Sequence, residues 1–353
     1  MVVGDKEPTL RHDRAVPTPS REPMAAFPGT TARDLVEVTD DLAALGSGGR
    51  WAVAITFEGA VTLAKFSHWS DVPPGDAEVG DWQGPRSNSW VDSLPRDAYV
   101  AAVSGIRERI AAGDVYQVNL CRVLRAPLPD QGSADPAALW RDLSRGNPAP
   151  YEGFLRIPEI TVISASPELF LSRDGDLISS GPIKGTAPTA AGLTAKDHAE
   201  NIMIVDLVRN DLARVCRPGS VNVPHLLAVE QHPGLVHLVS TVSGRLQDGA
   251  TWADILMATM PPGSVSGAPK ISALEVIAHF EPVPRSYYCG AFGWIDADHS
   301  RAQLAVAIRS FWISDAHLHF GTGAGITWGS DPEAEWQETV LKARRLMSLA
   351  NGA

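Results

Sequence analysis

Glu200 and Glu338 each stand near a capped helix start, an arrangement that can hold a divalent cation. Thr194 with Asp197 three residues on marks the first start, and Ser330-Asp331-Pro332-Glu333 marks the second. Asp197 shares a ridge with Glu200, while Glu335, Glu338 and Lys342 share a stripe. Two monodentate carboxylates, completed by waters and an anionic ligand, suit octahedral magnesium. A plainer alternative stands beside this one. Each glutamate alone is an ordinary solvated helix charge, and Glu338 with Lys342 is an i,i+4 pair worth roughly 0.2–0.5 kcal/mol.

Gly263-Ser-Val-Ser-Gly-Ala-Pro-Lys270 sets glycines ahead of a proline at a helix start, with Ile271, Leu274 and Ile277 as the expected buried stripe. Free N–H groups there favour an anion. The short glycine spacing and the Ala-Pro before the lysine are not those of a Walker loop, and ordinary turn chemistry explains such a loop equally well. Lys184, between Pro182-Ile183 and Gly185-Thr186, reads alone as a surface lysine on a turn. His237, between Val236 and Leu238, reads alone as a half-buried strand histidine.

The elements that position these groups follow from periodicity. Val100, Val103, Ile106 and Ile110 recur on one face of a helix that stops at Gly113. The next stretch alternates, so Gln117 and Asn119 share a strand face. Residues 160 to 180 read as strands joined at an Asp174-Gly175 tip. Counting back from that tip sets Glu168 about opposite Gly181 and lets it approach Lys184, unless a bulge shifts the register. Ile202, Val205, Val208, Leu212 and Val215 continue the helix begun at Thr194, and further strands are expected around 287 to 295 and 303 to 312. Without a strict βαβ alternation, the pattern favours one large α+β domain, its mixed, mainly antiparallel sheets packed against helices, over a doubly wound sheet.

The 353 residues are 44% hydrophobic and 20% charged, enough for one large core or two modest ones. Net charge is -11, and no stretch concentrates Lys and Arg, which argues against nucleic acid as a partner. No run approaches the roughly 18 apolar residues of a membrane span, and the first 23 residues lack a signal peptide's apolar core, so a cytoplasmic location without membrane contact is expected. Residues 1–50, punctuated by Pro8, Pro17, Pro19, Pro23 and Pro28 and closing on Gly-Ser-Gly-Gly, read as a mobile or loosely packed leader. Residues 51–94 read as a short segment packing on the core, and 95–350 as the main domain. Cys121, Cys216 and Cys289 form no CxxC pair, and their odd count suits a reducing compartment. None lies in the Gly-x-Cys-x-Gly setting of a class I glutaminase, so a reaction using glutamine nitrogen needs another polypeptide to release it.

Taken together, ten blocks in order resemble the chorismate-utilising family that includes anthranilate, aminodeoxychorismate, isochorismate and salicylate synthases. Among them are Gly-Asp-Val-Tyr-Gln-Val-Asn-Leu (113–120), Ser-Ala-Ser-Pro-Glu-Leu-Phe-Leu (164–171), Pro-Ile-Lys-Gly-Thr (182–186), Ala-Glu-Asn-Ile-Met-Ile-Val-Asp-Leu (199–207), Gly-Ser-Val-Ser-Gly-Ala-Pro-Lys (263–270) and Tyr-Cys-Gly-Ala-Phe-Gly (288–293). The resemblance runs from about 95 to 348. It implies that the domain binds chorismate, with Glu200 and Glu338 as magnesium ligands and Asp197 and Glu335 close by or acting through water. Gly185, Thr186 and Ser264 would surround the ring and its carboxylate, and Tyr288, Arg309, Gly325 and Lys342 would grip the enolpyruvyl carboxylate. His237 would lie beside the ring, and Glu168 would be the general acid for the departing C4 hydroxyl, which requires a raised pKa.

The resemblance also narrows the choice of branch. Members that add water carry a lysine base where Gln117 stands, and an amide cannot replace it as proton acceptor, so the resemblance implies that Gln117 is a substrate-binding group here. Anthranilate synthases usually have alanine where Lys184 stands, whereas lysine marks the aminodeoxychorismate synthases. There the amine attacks C2 as the hydroxyl leaves, and ammonia, supplied by a separate class I glutamine amidotransferase subunit, then attacks C4. An ordinary lysine is almost wholly protonated at pH 7, so Lys184 needs a depressed pKa. Anthranilate synthase component I, or another aminating enzyme, is the alternative, and a non-catalytic chorismate-binding regulatory subunit is an alternative of another class. Ser266 stands where threonine is common. No Leu-Leu-Glu-Ser element of the tryptophan feedback site is found, so amino-acid regulation is not expected, and no pyridoxal-phosphate lyase segment follows Ala353.

Overall fold

The computed structural model describes residues 22–71, 80–129, 134–232 and 235–351. Its helices are α1 (Arg96–Ala112), α2 (Pro136–Gly146), α3 (Ala195–Ala213), α4 (Trp252–Thr259), α5 (Lys270–Phe280) and α6 (Pro332–Ala350). Local chemistry sets their ends. Helix α1 stops at Gly113, at φ 85°, whose N–H donates to the Arg109 and Ile110 carbonyls. Helix α3 opens with the full capping box of Thr194 and Asp197. At α6 the cap is Asp331 rather than Ser330: the Asp331 carboxylate accepts from the Ala334 N–H, and the Ser330 hydroxyl donates to Glu335 instead.

The strands among the described residues form one continuous, curled antiparallel sheet rather than mixed sheets. Met24–Phe27 is its joint, paired on one side with Thr30–Thr39 and on the other with Tyr151–Arg156. One arm runs through Val61–Ser70, Arg50–Ile55, Ala291–Asp296, Arg301–Val306, Leu169–Asp174 and Leu177–Gly181 to Leu235–Arg245, which also pairs with Ile183–Ala187. The other runs through Thr161–Ser166, Ser310–Ser314 and His317–Ile326 to Gln117–Pro127. Helix α3 packs on Leu235–Arg245 near one end of this path, and α6 on His317–Ile326 near the other.

Two apolar clusters hold the curl. The larger includes Trp51, Tyr99, Ile106, Phe292 and Leu212, and the smaller gathers Leu139, Phe154, Phe311, Phe320 and Leu346 around α2 and α6. Each such buried side chain contributes on the order of 1.5–3 kcal/mol of transfer free energy.

Residues 24–50 depart from the expected leader, because they supply the joint, the ten-residue strand Thr30–Thr39 and a short 3-10 turn at Leu42–Ser47. Pro28-Gly29, which resembles linker punctuation, is a two-residue hairpin turn closing Phe27 on Thr30, with Gly29 at φ 74°. Likewise, residues 50–70 are hydrogen-bonded into the sheet rather than packed on it. Strands expected at 287–295 and 303–312 lie at Ala291–Asp296, Arg301–Val306 and Ser310–Ser314. Ile271, expected in a buried stripe, is 77% exposed, and Ile202 on the α3 pattern is 45% exposed; the buried apolar residues are Ile204, Val205, Val208 and Leu212 on α3 and Ala273, Val276 and Ile277 on α5. No helix among the described residues is long and apolar enough to cross a membrane.

Candidate active site

A cleft of about 500 Å³ lies where the two ends of the strand path face each other, a volume within the usual range for small-molecule sites. One end contributes Lys184, Gly185 and His237, and the other Asn119 and the run Gly321–Gly325. Helix α3 adds Asp197 and Glu200, and α6 adds Glu335, Glu338 and Lys342. Glu168, Ser264, Tyr288 and Arg309 arrive on connections between elements. Arg309 is held at φ 53°, a left-handed conformation uncommon outside glycine, of the kind that collects at functional sites.

Glu168 is opposite Lys184 in charge and close to it in space. The two-residue tip is Gly175-Asp176, with Leu177 against Asp174, which alone would set Phe170 opposite Gly181; a shift after Ser179 brings Leu169 there instead, one residue from Glu168. Glu168 still reaches the Lys184 side because the Ile183 N–H binds its carboxyl. Burial pushes the Glu168 pKa up, against the opposing pull of the Ser264 hydroxyl, Lys184, the Ile183 N–H and Arg309. Burial draws the Lys184 amine down, against Glu200 and Glu168, with Lys342 adding to the depression. Both shifts run toward the uncharged forms of the two groups.

Four carboxylates face the cleft with different commitments. Asp197 Oδ2 accepts from the Thr194 N–H at 2.8 Å and hydroxyl at 2.7 Å. Glu335 accepts from Ser330 at 2.5 Å. Glu338 pairs with Lys342 at 2.6 Å, and Lys342 also donates to the Gly323 carbonyl at 3.1 Å. Glu200 Oε1 is buried with no hydrogen-bond donor, and Lys196 Nζ stands 3.6 Å away. Among the described residues no three His, Cys, Asp or Glu side chains converge into a ready-made metal site. The donor set nevertheless fits a hard cation that takes Glu200 and Glu338 and completes its shell with water and an anion.

Two glycines allow close approaches here. Gly185 sits at φ 89°, and a Cβ on it would lie 2.8 Å from the Asp197 Cβ, so only glycine lets this loop touch α3. A Cβ on Gly325 would lie 2.6 Å from Gln117 Nε2. Gln117 is 1% exposed beneath Gly325 and does not line the cleft, which corrects its expected place among the substrate-binding groups; its Oε1 has no hydrogen-bond donor.

A family model described as chorismate binding enzyme matches residues 76–348. The chain belongs to this family. It is 40% identical over 280 residues to anthranilate synthase component 1 of Streptomyces coelicolor, covering 76% of this chain and 54% of that protein. It is 39% identical over 274 residues to aminodeoxychorismate synthase component 1 of Klebsiella aerogenes, covering 74% and 59%. The chain thus spans little more than half the length of these curated relatives. Among solved structures, anthranilate synthase component I from Streptococcus pneumoniae superposes with a TM-score of 0.78 at 23% identity, covering 98% of this chain and 95% of that one, which is a likeness of fold.

Within the cleft lie Lys184, Glu168, His237, Gly185, Ser264, Tyr288, Arg309, Gly325, Lys342 and all four carboxylates. Thr186 follows Gly185 on its strand, with its side chain outside the described set. Sequence reasoning missed Asn119 as a wall residue, although it had placed Asn119 on the face of Gln117; its Nδ2 donates to the Ser264 carbonyl. Lys196 was missed too, and its signal was the four-residue spacing to Glu200. The Val265 and Ser266 N–H groups donate to the Pro262 and Gly263 carbonyls, and Lys270 is consumed by Asp211 and the carbonyls of Thr259 and Pro261.

Proposed function

We propose that this chain is the chorismate-aminating component of an aminodeoxychorismate synthase, forming 4-amino-4-deoxychorismate from chorismate and ammonia in 4-aminobenzoate and folate synthesis. The observation that carries the reading is that Lys184 and Glu168 line one cleft together, where burial pushes the carboxyl up and the amine down. The Lys184 nitrogen attacks C2, both conjugated ring double bonds shift one position, and the C4 hydroxyl leaves as water with the Glu168 proton. Ammonia then attacks C4, both double bonds shift back and the lysine nitrogen departs. Loss of a proton from the ammonium formed at C4 restores the acid, so the net change is chorismate plus ammonia to product plus water. Arg309, Lys342 and Tyr288 hold the enolpyruvyl carboxylate, and His237 flanks the ring.

Magnesium between Glu200 and Glu338 would supply a Lewis acid that neutralises the ring carboxylate. Glutamine nitrogen would come from a separate class I amidotransferase. The competing reading, anthranilate synthase component I, is favoured by the 40% identity to the Streptomyces coelicolor protein. Lys184 speaks against it, since anthranilate synthases usually carry alanine there. Incubation with chorismate, magnesium and an ammonium salt, with and without aminodeoxychorismate lyase, separates the two. Formation of 4-aminobenzoate only when the lyase is present supports the proposal, and anthranilate overturns it.

A further inference from the structure

Arg285 is among the largest fully buried side chains, at 1% exposure, yet it lines no part of the cleft. Its fork is spent on three segments. Nε and Nη2 donate to the two carboxylate oxygens of Glu281 at 2.8 and 2.6 Å. Nη1 donates to the Val265 carbonyl at 2.7 Å, and Nη2 also to the Asn119 carbonyl at 2.8 Å. Glu281 in turn accepts from the Cys121 N–H at 2.8 Å, while the Arg285 carbonyl accepts from the Tyr288 N–H. Phe57 covers the guanidinium at 4.2 Å. The fork thus ties together three segments that present cleft residues: the Asn119 strand, the Val265 segment with Ser264 beside it, and Arg285's own segment, where Tyr288 stands three residues on. The Asn119 amide also donates to the Ser264 carbonyl, closing the set.

We infer that Arg285, braced by Glu281, is a positioning residue that fixes the Asn119, Ser264 and Tyr288 walls in one register for substrate, acting through backbone carbonyls without touching the ligand. This inference rests on the proposed chorismate site for its ligand, but not for its geometry. A buried pair kept only for stability is replaceable by apolar side chains of like volume, whereas one that aims three backbone segments is not. Lysine cannot substitute either, because a single ammonium cannot span the carboxylate and both carbonyls.

The test is the double variant Glu281→Met/Arg285→Met, which removes both charges together, with Arg285→Lys as the variant that keeps the charge and loses the fork. Thermal unfolding, backbone amide exchange and chorismate affinity with magnesium are measured on the full chain. For both variants, exchange is expected to quicken about tenfold or more in 117–121, 263–266 and 286–290 and stay at parental rates in Tyr151–Arg156, with chorismate affinity weakened on the order of 10- to 100-fold. If the double variant does not fold, Arg285→Lys decides alone. Parental exchange in the three segments, or exchange quickened equally everywhere, overturns the inference. Should the parent bind no chorismate, the functional reading fails, while the exchange pattern still decides whether Arg285 holds the walls.

Discussion

Gly325 lies against the Gln117 amide, so near that a methyl group at its Cα would approach Nε2 to 2.6 Å. The strand bearing Gly325 forms the cleft wall and Gln117 backs it, so wall position and amide position are set together. Gly325→Ala should force one of them to move, costing about 1–3 kcal/mol of stability by overpacking. Chorismate affinity should fall more than the melting temperature does. Calorimetric titration beside thermal unfolding checks this, and a variant with parental affinity would show that the contact relaxes outward.

Lys184→Ala should slow amination with ammonium strongly while leaving chorismate binding in place, because Glu200, Glu338, Tyr288 and Arg309 are untouched. Intact-protein mass spectrometry with chorismate and magnesium, but no ammonium, should show an adduct on the parent and none on the variant. Near-parental amination by the variant would rule out the covalent route and leave Lys184 a role in excluding water.

Glu200→Gln and Glu338→Gln should each weaken magnesium binding on the order of 10- to 100-fold or more, with the fold retained. Glu200 should matter more, since its buried oxygen has no protein donor to fall back on. Magnesium titration followed by intrinsic fluorescence measures this independently of turnover. Unchanged binding in both variants would move the metal elsewhere.

The raised pKa of Glu168 has a signed consequence for stability. Its folded-state pKa lies above the ordinary value of 4.5, so the stability it contributes is fully present below pH 4.5 and lost as pH rises through the folded value. Glu168→Gln should therefore melt higher than the parent at neutral pH, an advantage that vanishes near pH 4. The same variant should lose amination rate on the order of 10²–10⁴-fold, as expected for a missing general acid. Parallel melting curves across pH would contradict the shift.

Much of the site was legible because its parts are local. The capping box at Thr194 and the alternation through Gln117 and Asn119 depend on neighbours two to four residues away, and those readings hold. What escaped depends on distant partners. Pro28-Gly29 gives no sign in itself that the strand it ends pairs with residues 154–156. Ile271 has the right spacing for a buried stripe, but α5 meets its neighbours through Ala273, Val276 and Ile277, and no periodicity argument distinguishes two apolar faces of one helix. Gln117 was correctly oriented and wrongly placed, since only the absence of a side chain at Gly325, over two hundred residues on, sets it behind the wall.

The joint at Met24–Phe27 also bears on how the molecule reaches its native state. Its second partner, Tyr151–Arg156, follows more than 120 residues later in the chain. Until that partner emerges from the ribosome, the joint has an unpaired edge and its sheet is limited to the strands between Met24 and Ser70. The cleft depends on still more distant pairings, Gln117–Pro127 with His317–Ile326 among them, whose loop-closure entropy must be met before any wall is in place. Secondary structure should therefore return well before the cleft does on refolding, and the joint's unprotected edge is where a nascent chain is most exposed to pairing with the wrong strand.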